Sequence, residues 1–248
     1  MRNKTASIII IGNEILSGRT QDTNIKFLAN ELNLLGIKVI EVAVIPDIKQ
    51  AIIDKVREFS NKFTYVFTTG GIGPTHDDIT SEAIADFAGV PLELNLEARG
   101  MIESYYKSRS QEVNDARLKM AYIPKEARLI KNSISGAPGF IIKNIYVMAG
   151  VPHIMQSMFQ QIEPFLERGE PIKSLSLEVL IGESKIAKEF GQLQDKYPSI
   201  EMGSYPFENE GGYATTLVLR SSDLETLTRA FNELKSIIDN LGFRNNIV

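Results

Sequence analysis

Tyr65-Val66-Phe67-Thr68-Thr69-Gly70-Gly71-Ile72-Gly73-Pro74-Thr75-His76-Asp77-Asp78-Ile79-Thr80 is the stretch that decides the fold. Its first five residues are aromatic, β-branched or both in alternation and stop at glycine, as a short strand buried on both faces would. Three glycines in four residues follow. Then Ile79, Ala83, Ile84 and Phe87 recur at helical spacing until Gly89 ends the run. A strand feeding a glycine-rich turn and a helix is the repeating step of an open parallel sheet, and upstream the same step is written twice. Ile8–Ile11 closes at Gly12 and precedes a helix carrying Ile25, Leu28, Leu32 and Leu35, with Asp22 or Thr23 as N-cap and Gly36 after its end. Ile37–Ile45 is apolar and β-rich, and Pro46-Asp47 then opens a helix with Ile48, Ile52, Val56 and Phe59 on one stripe. The first ninety residues therefore predict βαβαβα, a doubly wound sheet.

Working outward, residues 95 to 121 read as two helical pieces. Phe140–Ile142 and Ile145–Met148 flank a turn at Lys143-Asn144, and Ile154–Phe165 reads as a closing helix that Pro164 ends or bends. Arg168-Gly169-Glu170-Pro171 combines charge, glycine and proline where that unit is complete, which predicts a linker. The expected domains are 1–168 and 172–248. In the second, Ser174–Ile181, Ile200–Tyr205 and Ala214–Arg220 read as strands, and Ser184–Tyr197 and Asp223–Leu241 as helices. Glu208 and Glu210 with Gly211-Gly212 read as a solvated hairpin turn.

The 248 residues carry 27 Lys and Arg against 31 Asp and Glu, so no overall basic field gathers nucleic acid or an anionic membrane. Hydrophobic content of 43% is enough to bury a core rather than leave the chain disordered. The absence of cysteine excludes disulfides, thiolate nucleophiles and iron–sulfur clusters. With two histidines, a metal site would rest on carboxylates and hence on a hard divalent ion. The apolar run at Ile8 is too short for a signal peptide or a membrane span, so a cytoplasmic protein is expected.

In an open parallel sheet, ligands gather beyond the carboxyl ends of the strands. Three loops of this chain are expected at that edge: Gly12-Asn13-Glu14, Gly70 through Asp78, and Gly150-Val151-Pro152. The second lacks the Lys-Ser/Thr of a P-loop and the third glycine of a dinucleotide fingerprint. Its glycines could admit a phosphate, or the loop could be a plain strand-to-helix turn with Asp77 or Asp78 as N-cap. Glu14 and Asp47 each follow a predicted strand. They could join Asp77 and Asp78 around a divalent ion, or could simply cap helices and face solvent. His76 and His153 read as surface residues, and Met101, Tyr105 and Tyr106 as packing.

Gly12-Asn13-Glu14-Ile15-Leu16-Ser17-Gly18, Asn24, Thr69 through Thr80, Gly136-Ala137-Pro138-Gly139-Phe140 and Gly150-Val151-Pro152 together resemble the MoaB/Mog molybdopterin-binding domain. More narrowly, they resemble the N-terminal domain of competence/damage-inducible protein A (CinA). The likeness covers about residues 5 to 167, and Gly203-Ser204-Tyr205-Pro206-Phe207 is also similar to CinA-like chains. One departure is Met148-Ala149-Gly150, where the family has Leu-Pro-Gly. The resemblance implies a three-layer, doubly wound, mostly parallel α/β sheet with a small C-terminal α+β domain.

It also implies a site. Asp78 and Asp47 would be catalytic. Gly12, Asn13, Glu14, Gly70, Gly71, Gly73, Pro74, Thr75, Asp77, Thr80, Gly136, Gly139, Gly150 and Pro152 would bind the ligand. Asp78, Asp77 and Glu14 would hold a divalent metal of the Mg, Mn or Co type, and molybdopterin is a further ligand the resemblance implies. The expected activity is metal-dependent pyrophosphatase action on ADP-ribose or a related dinucleotide. The alternatives are a non-catalytic pterin or nucleotide binder and an adenylylating enzyme of molybdenum-cofactor synthesis. The related domain beside eukaryotic FAD synthase resembles the same group. A nicotinamide-mononucleotide deamidase domain, common in CinA proteins, is not expected in a chain of this length. The expected partners are a small nucleotide or pterin and a second copy in a homodimer, with neither nucleic acid nor membrane.

Overall fold

The computed structural model describes residues 4–209 and 212–247, and the chain divides into two compact units, Met1–Gly169 and Glu170–Val248. In the first, β1 (Thr5–Ile11) leads through α1 (Asn13–Leu16) and α2 (Asn24–Leu34) to β2 (Lys38–Ile45), then α3 (Lys49–Lys62), β3 (Tyr65–Thr69) and α4 (Thr80–Ala88). An excursion follows: β4 (Leu92–Leu94), α5 (Leu96–Lys107), α6 (Asp115–Lys119) and β5 (Tyr122–Pro124). The chain returns through β6 (Arg128–Ile130), β7 (Gly139–Ile142), β8 (Ile145–Met148) and α7 (Pro152–Ile162). Pro164 does end that helix, in a 3-10 turn over Glu163–Phe165.

The six-stranded sheet runs β2-β1-β3-β8-β7-β6. Its first four strands are parallel; β7 turns back antiparallel to β8, and β6, antiparallel to β7, again runs with the first four. This is the expected three-layer, mostly parallel arrangement. Alternation along β1 explains the layers. Ile9 and Ile11 face Ile52, Val56 and Phe59 of α3 and Ile84 of α4, whereas Ala6, Ile8 and Ile10 face Leu28 and Leu32 of α2 and Phe159 of α7. Each face of a fully buried β-branched strand thus needs its own helix layer.

Gly36 and Gly89 take left-handed backbone (φ 70 and 74) just past α2 and α4. Ile48, expected on the stripe of α3, instead precedes the first turn and is 56% exposed, because Ile52, Ile53, Val56 and Phe59 already fill that face. Asp22 caps α2 as one of the two candidates, its Oδ1 accepting the Ile25 N–H at 2.9 Å. Asn144, at the β7–β8 turn, is a clamp. It donates to the Ser60 and Phe63 carbonyls at 3.0 Å each and accepts from the Ser60 hydroxyl at 2.6 Å, satisfying carbonyls that the end of α3 leaves open.

The second unit is an antiparallel sheet in the order β10-β11-β9-β12, formed by β9 (Lys173–Val179), β10 (Glu201–Asn209), β11 (Gly212–Ser221) and β12 (Asn245–Ile247). Two helices, α8 (Ala187–Lys196) and α9 (Leu224–Asn240), cover it. Leu177, Val179, Leu217 and Leu219 meet Leu193, Leu227, Leu234 and Ile238 there. The hairpin turn expected at Glu210-Gly211 lies outside the described residues. Among the described residues no helix is long and apolar enough to cross a membrane.

Candidate functional site

Because β1, β2, β3 and β8 run parallel, the loops after all four emerge at one edge. The chain steps from β1 to β2 on one side and then to β3 on the other, so a crevice opens between the ends of β1 and β3. A cleft of about 580 Å³ occupies that place. Glu14, Asp47, Asp77 and Asp78 line it, together with Gly12, Gly70, Gly71, Gly73, Pro74, Gly150 and Pro152. The four acids read from sequence are thus brought to one cavity.

Three of the four acids, Asp47, Asp77 and Asp78, commit part of their hydrogen-bonding capacity to the loops around them. Asp47 Oδ2 accepts the Asn13 backbone N–H at 2.8 Å and so ties the loop after β2 to the first turn of α1. Asp78 Oδ2 accepts the Thr75 N–H at 2.8 Å and the Thr75 hydroxyl at 2.5 Å. Neither Asp77 nor Asp78 caps α4. That helix starts at Thr80, five residues beyond Thr75, after a turn that Asp78 closes on Thr75. The Asp77 carboxyl is held below the usual carboxylate range, first by the Thr75 side chain and then by its own backbone N–H. One hydroxyl proton cannot serve both acids at once, so Thr75 is shared between them, with the geometry favouring Asp78.

The glycines divide into two kinds. Gly70 (φ 107) and Gly71 (φ 69) have left-handed backbone, and a Cβ would drive into the Ile11 carbonyl at the first and the Thr80 hydroxyl at the second. These two are required by the turn itself. Thr80 locks it, its hydroxyl donating to the Gly70 carbonyl at 3.1 Å and its N–H to the Gly71 carbonyl at 2.9 Å. Gly73 has no such backbone demand; a Cβ there would lie 2.7 Å from Asp78 Oδ2.

Several residues named from the resemblance support the cleft without lining it. Asn13 and Thr75 serve through the bonds just described, and Thr80 is fully buried behind the glycine turn. Gly136 packs on Tyr105, and Gly139 lies in β7 against Val147. His76 projects into solvent. Sequence reasoning missed the opposite wall. Tyr106, Met120, Asn132, Ser135 and Ala137 line the cleft from the segment between α4 and β7. Tyr106 does pack, with the Arg117 guanidinium 3.8 Å from its ring centre, and it also faces the cavity. Asn132 accepts the Ile134 and Ser135 N–H groups and donates to Ala137, a self-bonded Asx turn that its sequence could have signalled. Asn24 is 3% exposed and donates to the Gly150 carbonyl at 2.8 Å, pinning the loop after β8.

The lining of this cleft contains four carboxylates and no Lys, Arg or His. Among the described residues no three His, Asp or Glu side chains converge on one point as a preformed ion site. The carboxylates are spread around the cavity rather than gathered.

Residues 7–168 match the family described as probable molybdopterin binding domain, and residues 171–245 match the middle domain of FAD synthase. A protein of Archaeoglobus fulgidus is 32% identical over 94% of this chain and 97% of its own length. A putative competence-damage inducible protein of Clostridioides difficile is 35% identical over 83% of this chain, which spans about half (51%) of that relative. The crystal structure of CinA from Thermoplasma acidophilum, described as of unknown function, superposes with a TM-score of 0.61 at 36% identity, covering 66% of this chain and 99% of that one.

Proposed function

The chain belongs to the molybdopterin-binding-domain family, as a CinA-like member, and from that premise we propose that it is a metal-dependent pyrophosphatase acting on ADP-ribose or a related dinucleotide. One observation carries the reading: the cleft at the sheet edge presents four carboxylates, glycine-loop backbone and no cationic side chain. A diphosphate cannot settle among carboxylates unless a cation lies between them. The oxygen-only donor set suits a hard divalent ion such as Mg²⁺ or Mn²⁺. Such ions are commonly held by one or two carboxylates and completed by substrate phosphates and water, which fits acids that do not converge by themselves. Asp78, helped by Asp77 or Glu14, would hold it; when bound, it supplies charge neutralisation and Lewis-acid polarisation of the phosphoryl oxygens.

The remaining work falls to the chain itself. Thr75 holds Asp78 through one carboxylate oxygen, so the carboxylate lines the cleft in a restrained rotamer. Asp47 holds the β1 loop against the β2 loop, so that Glu14 faces the same cavity. Tyr106, Met120 and Met158 supply an apolar wall for a planar heterocycle. Hydrolysis of ADP-ribose forms a new P–O bond from water and breaks the bridging P–O bond, giving AMP and ribose 5-phosphate.

The test is AMP release from ADP-ribose and FAD, with Mg²⁺, Mn²⁺ or chelator. The reading expects turnover that chelator abolishes. Calorimetric binding of nucleotide or pterin with no turnover under any metal would make the protein a binding module instead.

A further inference from the structure

A second depression of about 330 Å³ lies beside the cleft, and Ile72, Gly73, Asp78 and Met120 line both. The two cavities therefore meet across the Gly73–Asp78 ridge. Their chemistry differs. The smaller one contains Lys119, His76 and the Ser81 side chain, all absent from the larger. Its Glu82 carboxylate is drawn to Lys49 at 2.6 Å, an ammonium it shares with Asp86 at 2.7 Å. Lys119, the last residue of α6, points its ammonium at the turn and donates to the Thr75 carbonyl. A carbonyl does not neutralise a charge, and among the described residues no carboxylate lies within ion-pair distance of Lys119, although its charge acts from further off on the Asp77 carboxyl and helps hold it below the usual range.

We infer that this depression is an anion subsite in which Lys119 binds a phosphoryl group of a ligand lying across the ridge, so that the protein selects diphosphates over compounds with no phosphate. The inference rests on the proposed function for the organic part of the ligand, and on its own geometry for the phosphoryl group. The logic is electrostatic. In the larger cleft, a phosphoryl oxygen needs an added cation to offset the acids, whereas across Gly73 the chain supplies its own. Gly73 keeps the ridge low, since a side chain there would push on Asp78. A ligand with two linked phosphoryl groups can engage both sides, one through the carboxylates' metal and one through Lys119.

Calorimetry on the full chain in Mg²⁺ tests this with three probes: ADP-ribose as its non-hydrolysable methylene-bridged analogue, inorganic pyrophosphate and adenosine. Lys119→Gln keeps an N–H donor on a side chain one atom shorter and removes the charge, while Lys119→Arg keeps the charge. Expected is about tenfold weaker binding of ADP-ribose and of pyrophosphate by Lys119→Gln, the loss of one charge-assisted hydrogen bond. Adenosine binding should be unchanged, and Lys119→Arg should remain close to the unmodified protein. If Lys119→Gln binds both phosphorylated probes as tightly as the unmodified protein, the subsite does not exist and the proposed function stands. If it loses adenosine equally, Lys119 merely props the loop and the inference fails. Lys119-dependent binding of pyrophosphate with no binding of ADP-ribose would uphold the subsite and overturn the proposed substrate. Binding of neither phosphorylated probe would sink both.

Discussion

Asp78→Asn separates the two duties of the residue on which the proposed chemistry depends. In the structure Asp78 Oδ2 accepts two hydrogen bonds from Thr75, at 2.8 and 2.5 Å, and an amide oxygen can accept both from the same place. What the amide loses is charge. Hydrogen bonds to charged groups contribute about 1.5–3 kcal/mol against about 0.5–1.5 for neutral ones. Two such bonds therefore lose about 2–3 kcal/mol before screening, and nearer 1 because the turn is partly exposed and screened. At roughly 2–4 °C per kcal/mol for a unit of this size, the melting temperature should fall by only a few degrees. Turnover is a different matter. Removing the charge and a hard-ion ligand should cost at least about 1.4 kcal/mol of barrier, tenfold in rate. Nucleotide affinity measured with chelator should hold or rise, since one repulsive carboxylate is gone. The assay is AMP release from ADP-ribose at saturating Mg²⁺, alongside a thermal melt. A variant that hydrolyses at the unmodified rate refutes the role of Asp78 and moves attention to Glu14 and Asp47.

Four further outcomes follow from the same structure. Gly73→Val meets no left-handed backbone but displaces the Asp78 carboxylate, so ligand affinity by calorimetry should drop far more than the melting temperature; equal losses would mean that Gly73 is only a turn residue. A fragment ending at Gly169 should fold and keep nucleotide binding, because every cleft residue precedes it, and a molten fragment by circular dichroism would contradict this. Asn144→Ala removes three bonds and orphans two carbonyls at the end of α3, for about 2–3 kcal/mol and roughly 5–10 °C in the melt; a loss under one degree would show that water replaces the clamp. The Glu233 carboxyl is held below the usual carboxylate range by hydrogen bonds from Lys196 and then Tyr197. A carboxyl with a lowered folded pKa stabilises fully above its unfolded value and loses that contribution as pH falls through the folded value. The melting temperature of Glu233→Gln should accordingly converge on that of the unmodified protein as pH is lowered below the carboxylate range, and parallel curves down to acid pH would exclude the linkage.

How much of this was legible in the sequence depends on whether the signal was local. β3 was readable to the residue as Tyr65–Thr69, and β8 as Ile145–Met148, because a strand buried on both faces must be continuously apolar and must stop where the chain turns. The ends of α2 and α4 were marked by glycines whose left-handed backbone the structure shows. β4, β5, β6 and β12 were not readable. Each is three residues long, too short to show a period, and each exists because a distant partner offers hydrogen bonds. The same division runs through the site. Its acids and glycines sit directly after strands, so strand prediction brings them to one edge, whereas Tyr106, Met120, Asn132 and Ser135 reach the cleft only through the excursion between α4 and β7. Nothing in their local pattern reports that path.

The structure also changes what the conspicuous motif means. Three glycines beside two acids suggest a phosphate cradle, yet Gly70 and Gly71 are explained by their backbone and by the Ile11 and Thr80 atoms behind them. Ligand need not be invoked for either. Gly73 is the one whose missing side chain keeps space for a functional group, and that group is the Asp78 carboxylate. Asp47 and Asp78 each spend one oxygen on a backbone N–H that fixes a loop. A carboxylate so restrained loses little rotamer freedom when it meets a cation, and its second oxygen already has a direction. A cleft walled by such acids, with its cation source displaced across a glycine ridge, discriminates by charge arrangement before shape. Under the proposed function it would repel a bare anion and favour one that arrives with a divalent ion, and a linked pair of phosphoryl groups would gain further by reaching Lys119.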